Sequence, residues 1–221
     1  MLPSIKKLVT IFFVCSLSLA NAKPFQSVSF ATNDGATIFA NYYPSGNHVV
    51  ILAHGAIFNK ESWEKLSREL TDNGLSVFAI DFRGYGQSTA GNKSNGKYLD
   101  ILGAINYLQT QPDITKISVL GASMGGGAAA KASIHSKAGD ISKLILLSPM
   151  PVSNPEKLKG NILYIVSKKE SIAKTIKQQF KKTPDPKILV EIEGSAHAQH
   201  IFKTAQAKNL TKIIVDFLKE D

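Results

Sequence analysis

The stretch Ile117-Ser118-Val119-Leu120-Gly121-Ala122-Ser123-Met124-Gly125-Gly126-Gly127-Ala128-Ala129-Ala130 decides the reading of this chain. A short β-rich apolar run ends at Leu120, a glycine follows, and small helix-forming residues take over from Met124. That is a strand, a sharp turn and a helix, with a G-x-S-x-G pattern set across the turn. A serine held on so tight a turn needs neighbours without side chains, because anything larger would collide with the strand on one side and the helix on the other. The turn lifts the serine hydroxyl clear of the sheet. The helix behind it supplies free amides and the positive end of a dipole for an oxyanion.

Outward from this point the chain alternates strand and helix signals. Upstream lie Val49 to Ala53, a helix near Glu61 to Asn73, Leu75 to Ile80 and a helix near Tyr98 to Gln109. Downstream come a helix from Met124 to His135, the runs Leu144 to Leu147 and Ile162 to Val166, and a helix near Ile172 to Lys181. Ile188 to Ile192 and a final helix to Leu218 complete the pattern. The β runs are apolar without alternation, as expected of strands buried on both faces, and their regular interleaving with helices implies right-handed crossovers in a parallel sheet. Ahead of them, Phe25 to Thr32 and Ala36 to Tyr43 flank Asn33, Asp34 and Gly35, which reads as a β-hairpin. The expected fold is therefore α/β, a doubly wound and mostly parallel sheet with an N-terminal hairpin. In such sheets chemistry gathers at the carboxyl ends of the strands.

The sequence resembles the α/β-hydrolase family over nearly all of its length after residue 22. His54 and Gly55 end a strand where that family carries its oxyanion loop. Trp63, Leu66, Leu70, Gly74, Val77 and Ala79 follow its helix and strand spacing. Asp81, Arg83, Gly84, Gly86 and Ser88 follow its Asp-x-Arg-Gly-x-Gly-x-Ser pattern. The resemblance implies that the backbone N–H groups of Ala56 and Met124 form an oxyanion hole. Lidded relatives insert a helical cap where this chain has only about a dozen residues between Ser148 and Asn161, so no cap and an open site are expected. Ile57, Phe58, Tyr85, Met124, Met150, Pro151 and Val152 are candidates for an apolar substrate wall.

A serine hydroxyl at its ordinary pKa is a poor nucleophile and needs a base within hydrogen-bond reach. Of the five histidines, His48 lies at the wrong end of the sheet and His135 is three turns into the helix after Ser123. His54 belongs to the oxyanion loop, where a structural hydrogen bond is the expected role. His197 sits in the loop after the last strand, where the family keeps its base, and is the candidate. His200 is expected within the final helix. The third member should fall between serine and histidine in chain order. The loop after Ile162 to Val166 reads Ser167-Lys168-Lys169-Glu170-Ser171, where the family commonly has Gly-x-x-Asp, so Glu170 is the first candidate and Glu156 the second. A pairing of Glu170 with Lys168 or Lys169 in solvent is the competing structural role.

Residues 1–22 combine Lys6 and Lys7 with an apolar run from Leu8 to Leu19 and end on Ala20-Asn21-Ala22, the three-part layout of a secretory signal. One catalytic domain over residues 23–221, periplasmic or secreted, is the expectation. The single cysteine, Cys15, would leave with the signal, which removes thiol and disulfide chemistry from the mature chain. The net charge is +9. It favours solubility and at most weak contact with anionic surfaces, and no nucleic-acid motif accompanies it. The expected activity is serine hydrolysis of small carboxylic esters, with thioester or peptide cleavage behind it and no metal or organic cofactor. A non-catalytic exported binding protein on the same scaffold is the alternative. The sequence carries no signal for oligomeric state.

Overall fold

The computed structural model describes residues 25–93 and 95–220; the expected signal segment, residues 1–22, lies outside them. Eight strands form one sheet in the order β1-β2-β4-β3-β5-β6-β7-β8. They are β1 (Gln26–Ala31), β2 (Thr37–Tyr43), β3 (His48–Ala53), β4 (Ser76–Ile80), β5 (Lys116–Ala122), β6 (Lys143–Leu147), β7 (Asn161–Ser167) and β8 (Lys187–Ile192). The hairpin β1–β2 is antiparallel and β2 joins β4 antiparallel, while every pair from β4 through β8 is parallel. The doubly wound, mostly parallel sheet expected from the alternating pattern is the fold observed.

The apolar runs are explained by where successive side chains go. In β3, Val49, Ile51 and Ala53 enter the core on one face and Val50 and Leu52 the core on the other. Helices α2 (Lys97–Gln109), α3 (Met124–His135) and α4 (Ala173–Lys182) cover the first face, and α1 (Glu64–Asp72) and α5 (Ala207–Lys219) cover the second. With both faces covered there is no solvent side on which a polar residue would alternate. Strand order reverses between β3 and β5. The loops after these two strands therefore diverge to opposite faces and leave a crevice between their carboxyl ends, which is where the site is built.

Two local elements differ from the sequence reading. The helix expected from Glu61 opens as a 3-10 turn, Lys60–Trp63, capped by the Asn59 side chain accepting from the Ser62 amide, and only then becomes α1. His200, expected in the final helix, lies in a separate 3-10 turn, Ala198–Lys203, ahead of α5. The backbone of Ala198 has φ +48°, which breaks any continuous helix there.

Far from the crevice, His48 opens β3 and its Nε2 lies 2.8 Å from Ser118 Oγ on β5. Burial, reinforced by Lys116 and Lys143, pushes its pKa down to about 4. The unfolded chain takes up this proton near pH 6.5 and the folded chain does not, so folding stability falls as pH drops from about 6.5 and the loss is complete near pH 4. Urea unfolding midpoints compared at pH 7 and pH 5 should fall further for the native chain than for His48→Gln, and an equal fall in both would contradict this assignment.

Candidate active site

Ser123 lies between β5 and α3 with φ +52° and ψ −114°, a left-handed backbone unusual for a residue bearing a side chain. Its neighbours show why two glycines flank it. A Cβ on Gly121 would stand 2.3 Å from the Gly125 carbonyl oxygen, and one on Gly125 would stand 2.2 Å from the Ala53 carbonyl oxygen. The turn is also fixed by hydrogen bonds. The Ser123 amide donates to Leu147 O at 3.0 Å, and Ser123 O accepts from Gly127 N at 3.0 Å and Met150 N at 2.9 Å.

His197, after β8, reaches this serine, and Glu170, after β7, reaches His197. His197 Nε2 is 2.7 Å from Ser123 Oγ, and His197 Nδ1 is hydrogen-bonded to Glu170 Oε1. A carboxylate only accepts, so Nδ1 carries the proton and Nε2 is left to accept from the serine hydroxyl. The Glu170 side chain is 4% exposed and the His197 side chain 41%, so the acid is enclosed and the imidazole faces the crevice. The competing role for Glu170 does not occur: Lys168 pairs instead with Glu193 at the surface. Glu156 stands exposed on a 3-10 turn, Pro155–Lys157, and makes no hydrogen bond to His197.

Ser148 and Gln199, to which the sequence reading gave no role at the site, help to hold this line in place. Ser148, at the end of β6 with φ +43°, donates from Oγ to Glu170 Oε2 at 2.8 Å and accepts from the Ala198 amide at 3.2 Å. The Ser167 amide also donates to Oε2, at 3.3 Å. Gln199, 4% exposed, accepts from the Gly55 amide at 2.7 Å through Oε1 and donates to Ser62 Oγ at 3.0 Å through Nε2. It joins the loop carrying His197 to the loop after β3. Neither role has a local signal, because a lone serine after a strand and a glutamine after a histidine are ordinary residues until distant chain meets them.

The loop after β3 is pinned on its other side by the Asp81 to Ser88 segment. His54 is fully buried; its Nδ1 donates to Gly55 O at 2.8 Å and its Nε2 accepts from the Phe82 amide at 3.2 Å. Burial lowers its pKa, outweighing the favourable pull of the Gly55 carbonyl and Asp81, and both ring nitrogens are occupied by this structural pairing. Tyr85 donates its hydroxyl to Ala56 O at 2.8 Å. Buried Asp81 accepts from the Lys60 amide at 2.8 Å and from Lys60 Nζ at 2.6 Å. Arg83 bridges Asp34 of the hairpin turn and Asp100 of α2. Its hydrogen bond holds the Asp34 carboxyl well below the usual carboxylate range.

Tyr85 also ties the Ala56 backbone to Met124, since its hydroxyl lies 3.7 Å from Met124 Sδ, and Met124 is the first residue of α3, whose amide has no carbonyl one turn earlier to bond. Of the proposed wall residues, Met124, Met150 and Pro151 line a cavity of about 240 Å³ that reaches the serine turn through Met124, the residue after Ser123; Ser123, His197 and Glu170 do not themselves line it. Tyr85 is committed to the Ala56 carbonyl. Phe58 packs its ring edge-on to His200 at 5.1 Å between centroids, and Ile57 projects into solvent, 77% exposed. A larger cavity of about 630 Å³ runs between α1 and α5 past Trp63, Leu66 and Phe202, and none of Ser123, His197 or Glu170 lines it.

The profile of the family described as "Hydrolase_4: Serine aminopeptidase, S33" matches residues 44–209. The chain belongs to this α/β-hydrolase family. It is similar to human monoglyceride lipase, 30% identical over 141 residues that make up 60% of this chain and 46% of that protein. The α/β-hydrolase thus spans about half the length of that relative. Among solved structures it is similar to an esterase from Pyrococcus furiosus, with a TM-score of 0.78 at 18% identity, covering 88% of this chain and 92% of that one. An esterase from Exiguobacterium antarcticum gives 0.75 at 16% identity, covering 88% and 100%.

Removing the Ser148 hydroxyl takes one hydrogen bond from a buried carboxylate and leaves the Ala198 amide without its acceptor. A hydrogen bond to a charged group contributes about 1.5–3 kcal/mol. Ser148→Ala should therefore slow phosphonylation of Ser123 by a fluorophosphonate probe by about tenfold or more. A rate within a factor of two of the native chain would show that Ser148 does not position Glu170.

Proposed function

We propose that this α/β-hydrolase is a serine hydrolase that cleaves small carboxylic esters through an acyl-enzyme on Ser123, with His197 as general base and Glu170 as the acid that orients it. The observation that carries this reading is the hydrogen-bonded line from Ser123 through His197 to buried Glu170. His197 takes the Ser123 proton as the oxygen attacks the ester carbonyl. The Ala56 and Met124 amides receive the oxyanion, and each such donor accounts for about 10² to 10³ in rate. Proton return from His197 to the leaving oxygen expels the alcohol. Water, activated by the same imidazole, then releases the acid and restores the serine.

Similarity to a monoglyceride lipase and to two esterases supports an ester as substrate. The family description supports a second reading, an aminopeptidase. Thioester cleavage fits the same machinery. The short connection between β6 and β7, with only a 3-10 turn in it, supports short soluble acyl groups, since no cap stands over the site to bury a long tail and each buried methylene adds about 0.8 kcal/mol.

Fluorophosphonate labelling and hydrolysis of a nitrophenyl ester series test the assignment together. Ser123→Ala and His197→Ala should abolish both, with unfolding transitions close to native. Glu170→Gln should lower turnover by about 10⁴, as loss of the orienting charge does in a comparable triad. A Glu170→Gln variant keeping more than about a tenth of native turnover would remove Glu170 from the mechanism, and efficiency rising steadily from C4 to C16 esters would refute the short-acyl reading. Turnover of amino-acid nitroanilides in preference to esters would establish the aminopeptidase instead. Absence of both labelling and hydrolysis in the native chain would favour a binding protein on this scaffold.

We further propose export with cleavage after Ala22, which the residue pattern of 1–22 supports. Mass analysis of exported protein should give a chain beginning at Lys23, and retention of residues 1–22 would contradict it.

A further inference from the structure

The cavity of about 240 Å³ beside Ser123 has an uneven chemistry. Its lining joins apolar Met124, Ala128, Met150 and Pro151 to Asn95, Tyr98 and two cations, Lys97 from α2 and Lys131 from α3. Neither lysine forms an ion pair with a carboxylate among the described residues, although most cations near the site do: Lys60 pairs with Asp81, and Arg83 with Asp34 and Asp100. Lys131 is held with Nζ 4.3 Å over the Tyr98 ring, a contact that fixes the ammonium group through one face and leaves its other hydrogens to donate. Lys97 stands on the same wall, its Nζ 6.0 Å from the centre of the Tyr85 ring. No Asp or Glu lines this cavity.

The side of the serine on which the cavity lies gives the part of the substrate it faces. His197 must hand its proton to the leaving oxygen, so the leaving group lies on the imidazole side. That side belongs to the α1 and α5 face, where Ala198 and Ile201 enter the core. The cavity is built from α2, α3 and the segment after β6, on the opposite face, and so it takes the acyl part.

We propose that this cavity is a subsite for an anionic acyl group, such that the preferred esters are monoesters of short dicarboxylic acids: methylenes on the methionine floor, and the distal carboxylate between Lys97 and Lys131. The inference rests on the ester-hydrolysis reading and narrows its substrate class. The net charge, +9 for the whole chain and +7 once Lys6 and Lys7 leave with residues 1–22, would add long-range attraction for such substrates.

Hydrolysis of mono-(4-nitrophenyl) glutarate and of 4-nitrophenyl butyrate by the native chain and by the double variant Lys97→Glu/Lys131→Glu tests it. Lys131 is exposed and Lys97 half-buried, and neither pairs with a carboxylate among the described residues, so the variant should fold. Charge reversal should lower kcat/KM for the glutarate ester by about tenfold or more, mainly through KM, and leave the butyrate ester within about threefold. Added salt should narrow the native chain's discrimination between the two esters. Equal changes on both esters, or none on either, would overturn the subsite. Calorimetric titration of free glutarate into the Ser123→Ala protein separates this from the parent reading. Binding that weakens about tenfold on charge reversal supports the subsite even if no ester is hydrolysed, and no binding in either background removes it even if esters are hydrolysed.

Discussion

Everything at this site depends on a serine backbone held in a conformation it would not choose. The left-handed φ of Ser123 costs on the order of 1–3 kcal/mol, and the surrounding structure offsets it. The Ser123 amide and carbonyl are bonded on both sides, and the Ala129 and Ala130 side chains of α3 lock the helix onto the sheet. The close approach of α3 to β5 and β3 is what demands glycine at 121 and 125. Larger residues there would move the helix, and with it the Met124 amide at its start.

The strain is not confined to the serine. The non-glycine residues with positive φ among those described are Ser123, Ser148 and Ala198, and all three surround the same hydrogen-bonded line. Each follows the end of a parallel strand or the His197 position, where the chain must turn sharply to bring a polar group inward. Placing Ser123, Glu170 and His197 after the ends of β5, β7 and β8, with Ser148 after the end of β6 between them, lets a strand spacing of about 4.8 Å set their separations. Rigid neighbours take the place of long flexible side chains.

The fold was legible in the sequence because its signals are local. Apolar runs of strand length, helical periods and the glycine pattern around Ser123 each lie within a dozen residues, and together they leave one architecture. The meeting of Ser123, His197 and Glu170 was legible one step further out, since chain order and strand ends put them at one edge of the sheet. What could not be read was whatever depends on which distant side chain arrives. Ser148 meets Glu170 across 22 positions and Gln199 meets Gly55 across 144. Buried Lys60 reads as one more solvated lysine until Asp81 is placed against it. His200 was set in the final helix because the left-handed turn at Ala198 has no glycine to announce it. The apolar wall was only partly legible for the same reason, since exposure at Ile57 and packing at Phe58 follow from loop paths.

The separation of Ser123 and His197 by 74 positions bears on how the chain comes into being. Synthesis runs from the N-terminus, so strand β5, the elbow and the face built by α2 and α3 can form while the base is still unmade. The loop bearing His197 and Gln199 arrives almost last and has to dock against β3, the far side of the crevice, before the Gly55 amide is engaged. A nascent chain ending before residue 197 would lack both the His197 contact to Ser123 and the Gln199 contact to the Gly55 amide. The hydrogen-bonded line is therefore complete only when the two ends of the fold have closed on one another.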